Sequence, residues 1–314
     1  MLPLQSNLVA RRLIASALPS LPPAPLPSRR EVHLWYIVPN EIKDASLFQE
    51  YMEILSPCEK EHVLSMKGEL HKKCALLSRV LVRTTLSRYT DCKISPRSFK
   101  FMKNRFGKPE IVWEHNKFGL LPSLQFNISH TSSLVACGIT VDAPIGIDIE
   151  EKQRRPVTNI LSLARRYFSP NEVQYLNSFV DPEIQKIEFL KLWTLKEAYV
   201  KALGKGFSGS PFKDFTIRFE RSKDLLLTSE KSKIGELRIA IETVSDPESV
   251  ATNWRFALVE LHGSHFAAIC IERDEEAPAI EQELLKLKVW KTLPFVEDEC
   301  VSDTDAVTNI CGLS

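Results

Sequence analysis

No stretch of the 314 residues approaches 18 consecutive apolar positions, so nothing reads as a membrane-spanning helix. CxxC pairs and zinc-ligand spacings are also missing. The seven cysteines lie singly, an odd number that reads as reduced thiols in an intracellular compartment. Asp and Glu are absent from residues 1–30, which hold four Arg, four Ser and seven Leu; Ser6 to Leu18 could form a helix with Arg11 and Arg12 on its polar side. That composition is typical of an organelle transit peptide, with the mitochondrion the expected destination and cytosol or plastid the alternatives. A Pro-rich disordered extension is the bland reading, since Pro19 to Pro27 cannot be helical.

What is present describes a globular protein. The chain is 44% hydrophobic and 26% charged, with 41 Lys and Arg against 40 Asp and Glu, and its length suits about two domains. The net charge of +1 hides an asymmetry. Lys60 to Lys108 carries 13 cationic residues against three acids and expects an anion, whereas Asp274 to Ser314 carries three against ten and reads as solvated.

Strand patterns begin at His33, in HLWYIV, and return at 98–102, 133–141 and 145–150. Ser56-Pro57-Cys58-Glu59 reads as a capping box, followed by a helical pattern over Ala75 to Tyr89. The second half repeats the order. Ser169-Pro170-Asn171-Glu172 is again a capping box, Asp181-Pro182-Glu183 opens a long apolar helix that closes at Gly204, and strands follow at 215–219, 237–244, 254–261 and 266–272. LSPCE against FSPNE suggests duplication: two α+β half-domains, 31–150 and 151–273, with a cleft between them. The remainder, 274–314, is expected to add one helix from Ile280 to Trp290 and then an acidic, disordered end.

In a strand, Asp148 and Glu150 of GIDIE leave one face about 7 Å apart at their Cα atoms. Such a pair is either a wet edge-strand face or a hard-oxygen site suited to Mg²⁺. Glu197 and Lys201 are neighbours one turn apart on a helix that is mostly apolar around them, so a surface ion pair there competes with a cleft site. Asn127, Ser129, His130 and Thr131 read as a turn with donors able to grip a phosphate. Gly107-Lys108-Pro109 reads as a tight turn carrying one cation, and Gly204-Lys205-Gly206 is not a P-loop because GxxxxGK[ST] is absent. Two other classes compete for these residues: a nucleic-acid binder using the basic block, and a metal-dependent phosphodiesterase. The basic block lacks a clear aromatic stacking platform, and no nucleic acid is expected as partner.

Taken in order, the basic block, GKP, FNISH, GIDIE, FSxxE and WxxKEAxxKxxGKG resemble the Sfp-type 4′-phosphopantetheinyl transferases, including the eukaryotic aminoadipate-semialdehyde dehydrogenase phosphopantetheinyl transferase-like branch. The resemblance spans about residues 33–272. It implies an α+β fold with a pseudo-twofold pair of half-domains and the active site in the cleft between them. It further implies coenzyme A as co-substrate, Mg²⁺ on its pyrophosphate, and a serine of an apo acyl carrier or peptidyl carrier protein as acceptor. By the same resemblance Asp148 and Glu150 are metal ligands, Glu197 a ligand or the base for the serine, and Lys201 a stabiliser of phosphate charge. His130, Ser129 and Lys108 hold the nucleotide end, with Lys72, Lys73 and Lys205 as further candidates. Glu172 stands as either a catalytic residue or a helix cap, and a monomer is expected.

Overall fold

The computed structural model describes residues 19–28, 31–113, 123–154, 159–220, 238–243, 250–251, 254–272 and 285–310. The first half runs β1 (Glu31–Ile37), α1 (Ala45–Met52), α2 (Pro57–Ser65), α3 (Glu69–Arg88), the hairpin β2 (Lys100–Lys103) and β3 (Pro109–Val112), then β4 (Leu124–His130) and β5 (Val135–Val141). The second half begins before the expected boundary at 150, since β6 (Ile145–Glu151) joins the sheet of β10 and β11, and continues through α4 (Ile160–Tyr167), α5 (Pro170–Asn177), α6 (Pro182–Leu203) and a one-turn α7 (Gly206–Gly209). It continues through β7 (Phe215–Glu220), β8 (Arg238–Thr243), β9 (Val250–Ala251), β10 (Trp254–Leu261) and β11 (His265–Glu272), and β12 (Lys286–Leu293), β13 (Glu297–Cys300) and β14 (Val307–Asn309) close the chain.

The duplication is physical. In the first half β5 lies between β1 and β4; in the second β11 lies between β6 and β10, so each half sets its last strand beside its first. Both capping boxes form, Ser56 with Glu59 and Ser169 with Glu172, and Pro at the first helical position starts each helix with its φ already set. Each boxed glutamate is then clamped by a cation 24 residues on, on the long helix: Arg83 Nη2 to Glu59 at 2.7 Å, Lys196 Nζ to Glu172 at 2.7 Å. Each cation also donates to a carbonyl after its helix, Arg83 to Phe99 and Lys196 to Phe215. A clamped capping carboxylate is therefore part of the repeat.

Three departures from the sequence reading have clear causes. The FNISH segment is not a turn but the strand β4, with Asn127 and Ser129 buried. Its polar side chains misled the reading because they replace ladder bonds: Asn127 Oδ1 accepts from the Ile147 N–H and Ser129 Oγ from the Ile149 N–H, joining β4 to β6 across the two sheets. The tail is not a helix with a disordered end; residues 286–293 form β12, parallel to β1, and β14 pairs with β10, so it completes both sheets. The Ile280 end of the expected helix lies outside the described residues. Burial outweighs the tail's charge, since Trp290 stacks on Trp35 at 5.0 Å, Val289 is fully buried, and Asp298 takes a bidentate contact from the buried Arg88. The third departure concerns the leader. Residues 19–28 pack on the body, with Leu21 and Pro27 buried and the Ala24 N–H donating to the Arg88 carbonyl. The expected helix Ser6 to Leu18 lies outside the described residues.

Gly146 decides how α6 meets β6. A Cβ there would sit 1.9 Å from the Ala198 carbonyl oxygen and 2.3 Å from the Ala202 nitrogen, so the helix backbone rests directly on the strand. Gly204, at φ +64°, then ends α6 in the left-handed conformation. Replacing Gly146 by Ala should cost about 3 kcal/mol or more, because both obstructing atoms are backbone and cannot swing aside. Urea unfolding with an unchanged slope checks this, and a loss below about 0.5 kcal/mol, the range of an ordinary surface substitution, would show that the helix backs off freely.

Candidate active site

Direct contact at Gly146 lays one face of α6 along β6, where Glu197 and Lys201 come to Asp148 and Glu150. An open cavity of about 620 Å³ is lined by all four, together with Ser129 to Ser132 from the end of β4 and the turn after it, and Arg154. A second open groove, of about 540 Å³ between Arg165 and Lys213, has no acid or base pair and so offers no comparable chemistry.

At the centre, Asp148 is buried; its Oδ1 accepts from Lys201 Nζ at 2.6 Å and from the Ser129 hydroxyl at 3.0 Å. Lys201 also donates to Ser129 Oγ at 3.2 Å, so one ammonium ties α6, β6 and β4 together. Asp148 Oδ2, equally buried, has no hydrogen-bond partner. Glu150 accepts from Arg154 Nη1 through both oxygens, at 3.2 and 3.0 Å. Burial raises the pKa of Asp148 against the pull of Lys201. Glu150 rises through burial and then the charge of Asp148. Burial, followed by Asp148, pushes Glu197 up to about 7. Three carboxylates each held above the usual range form a site short of positive charge.

An orphaned buried oxygen and cation-poor carboxylates fit a divalent ion. Among the described residues no three Asp, Glu, His or Cys side chains converge as a ready-made cage. That suits Mg²⁺, which keeps several waters and takes one or two carboxylates with substrate phosphate oxygens. At the end of β4, burial holds His130 below its ordinary pKa, and Lys201, Arg79 and His71 press in the same direction. Such a cluster of cations favours a polyanion.

The cavity unites Asp148, Glu150, Glu197, Lys201, Ser129 and His130. It does not include Lys72, which pairs with Glu69, or Lys73, which donates to the Ile42 carbonyl and lies over the Phe48 ring. Lys108 is turned inward: its ammonium donates to the Ile145 carbonyl at 2.9 Å, and burial brings its pKa down to about 8. Lys205 lies exposed at the start of α7, also outside the cavity. Arg154 was missed, as were Arg79 and His71, which do not line the cavity but whose charges act on His130. Lys72 and Arg79, seven apart, lie on nearly the same face of α3, so periodicity alone does not separate His71 and Arg79 from Lys72 and Lys73.

Glu172, read from the sequence as catalytic or capping, is a correction to the first of these. It lies outside the cavity, buried, with Oε2 accepting from the Ser169 N–H, Oε1 from the Ile217 N–H, and both oxygens from Lys196. No lone pair is left for a substrate proton.

Residues 144–269 match the family model described as the 4′-phosphopantetheinyl transferase superfamily, and residues 43–140 match that described as 4′-phosphopantetheinyl transferase, N-terminal. The chain belongs to the 4′-phosphopantetheinyl transferase superfamily, an enzyme class, and its two halves correspond to these two matches. Among relatives, the 4′-phosphopantetheinyl transferase HetI of a Nostoc species is 32% identical over 231 residues, covering 74% of this chain and 82% of that protein. The 4′-phosphopantetheinyl transferase Sfp of Bacillus subtilis is 33% identical over 175 residues, 55% of this chain and 70% of that one. The mouse L-aminoadipate-semialdehyde dehydrogenase-phosphopantetheinyl transferase is 23% identical over 227 residues, 71% and 69% of the two chains.

Glu172→Gln should lower stability by about 3 kcal/mol or more, because Gln preserves the cap but leaves Lys196 buried without its counter-charge. Turnover of the folded protein at low temperature should be unchanged. A hundredfold fall in turnover at an unchanged melting temperature would return Glu172 to the chemistry.

Proposed function

We propose that this transferase moves the 4′-phosphopantetheine arm of coenzyme A to a serine of an apo acyl carrier or peptidyl carrier protein, with Mg²⁺, releasing adenosine 3′,5′-bisphosphate. The observation that carries the reading is the convergence of Asp148, Glu150, Glu197 and Lys201 on one cavity shared with His130 and Ser129. Asp148, through its partnerless Oδ2, and Glu150 would hold the ion, with Glu197 within the same set of carboxylates. When bound, Mg²⁺ would neutralise the pyrophosphate and assist departure of the bisphosphate. Lys201 is placed to answer charge gathering on the transferred phosphoryl group. Glu197 is assigned the serine proton, since a carboxylate titrating near 7 suits a general base at neutral pH. No protein nucleophile is required: the serine oxygen forms the new P–O bond as the pyrophosphate bridge breaks.

Incubation with coenzyme A, Mg²⁺ and an apo carrier protein, read by the mass of the acceptor, tests the reading directly. Release of adenosine 3′,5′-bisphosphate without a heavier acceptor would replace it with hydrolysis. The metal can be tested without turnover. Glu197 has its pKa raised on folding, so its contribution to the stability of the ion-free protein is fully present below 4.5 and is lost progressively as the pH rises from there to about 7. Mg²⁺ competes with those protons and should therefore raise the melting temperature more at pH 8 than at pH 5.5. Asp148→Ala should remove the Mg²⁺ effect and the transfer while leaving the fold intact. Normal transfer by Asp148→Ala would end the metal assignment.

We also infer that an organelle address lies within residues 1–18, on the composition of the first 30 residues. Deleting residues 1–18 should send a fluorescent fusion to the cytosol and leave purified activity unchanged. Extending the deletion to residue 28 should destabilise the protein, because it removes the buried Leu21 and Pro27 and uncovers the body they pack on. An unchanged destination after the shorter deletion would refute the address.

A further inference from the structure

One buried imidazole outside the cavity links its two walls. His265, at the start of β11, is 2% exposed and has both ring nitrogens engaged. Its Nε2 lies 3.0 Å from Thr131 Oγ1 and 3.1 Å from Ser133 Oγ, both on the turn that joins β4 to β5. Its Nδ1 lies 2.8 Å from Ser264 Oγ. Ser133 donates in turn to Glu151 Oε1 at 3.2 Å, and Glu151 is the cross-strand neighbour of His265 on β6. Thus a ring from the second half holds a turn from the first.

The proton inventory fixes how it does so. Thr131 Oγ1 already accepts from the Ser133 and Leu134 N–H groups, and the Ser133 proton goes to Glu151. The arrangement that satisfies these groups has the proton on Nε2, donated to Ser133 Oγ, the Thr131 hydroxyl donating to the Leu134 carbonyl, and Nδ1 accepting from Ser264. The ring is then neutral, in keeping with burial, which lowers its pKa.

That turn is functional ground. Thr131 and Ser132 line the cavity and follow Ser129 and His130 without a break, whereas His265 and Ser133 do not line it. The acidic wall has independent support from the seating of α6 at Gly146. Loosening the turn would therefore disturb the wall that bears His130 more than the carboxylates. We propose that His265 is a positioning residue for coenzyme A, one that sets the His130 to Ser132 wall by pinning the β4–β5 turn to the second half, while Ser129 stays with the carboxylates through its bonds to Asp148, Lys201 and the Ile149 N–H. The assignment rests on the reading of this cavity as the coenzyme A site.

The test uses His265→Ala, His265→Gln and Ser133→Ala in the full chain. Displacement of a substrate-holding wall by a fraction of an ångström should raise the KM for coenzyme A about tenfold in His265→Ala, with kcat and the carrier-protein KM little changed. Ser133→Ala should move the same constant in the same direction by less, and it serves as the deciding variant if His265→Ala does not fold. His265→Gln retains an N–H donor toward Thr131 and Ser133 and should restore the coenzyme A KM. Amide exchange at Ser133 and Leu134 should quicken in the Ala variants while the centre of β5 stays protected, a readout that holds even if the protein proves to transfer nothing. A lowered melting temperature with unchanged coenzyme A KM and unchanged turn exchange would make His265 merely structural and overturn the proposal. So would a fall confined to kcat. An inactive wild-type protein would instead refute the proposed function, leaving turn exchange to decide the link.

Discussion

The seam between β4 and β6 is the constraint on which everything else rests. Each is the last strand of its own sheet, and an edge strand presents unpaired backbone groups that must find partners. Here they are met in part by side chains: Asn127 and Ser129 accept from the β6 backbone, and this places β4 side by side with β6 without a continuous ladder. The substitution has a chemical benefit. A fully paired seam would have left Ser129 free of structural duty; as built, the same hydroxyl accepts from Ile149, donates to Asp148 and receives Lys201. Backbone architecture and the charged centre are therefore coupled through one oxygen atom.

The two halves show what duplication leaves fixed and what it releases. The clamped capping glutamate survives in both, with Arg83 in one copy and Lys196 in the other, because a helix start tied to a long helix is a packing requirement in each. The acidic pair on the strand and the Glu197–Lys201 pair on the helix belong to the second copy alone, while the first contributes His130 and the basic face of α3. A negative half and a positive half meet at one cavity, which is the division of labour expected for holding a cation and a polyanion together.

Much of this was legible in residues. The capping boxes, the αL glycine after α6, the strand GIDIE and the i, i+4 pair on α6 follow from local rules, and local rules suffice where a residue's role is set by its own element. The errors arose where long-range contacts set the role. FNISH looked like a turn because its polar side chains serve a strand in another sheet. The tail's charge pattern said solvent, yet Trp290, Val289 and Asp298 dock on Trp35 and Arg88, partners more than 200 residues away in sequence. Periodicity cannot report such partners.

The closing strands also set an order on synthesis. β12, the parallel partner of β1, is made long after it, and Lys291 meets Glu41 across 250 residues. Until then the first sheet has one flank open, and β10 likewise waits for β14. The first half thus cannot complete its own hydrogen bonding while the second is being made, however autonomous its helices. With each sheet waiting on a strand made so long after its partner, both stay incompletely sealed through the intervening synthesis, a state open to chaperones.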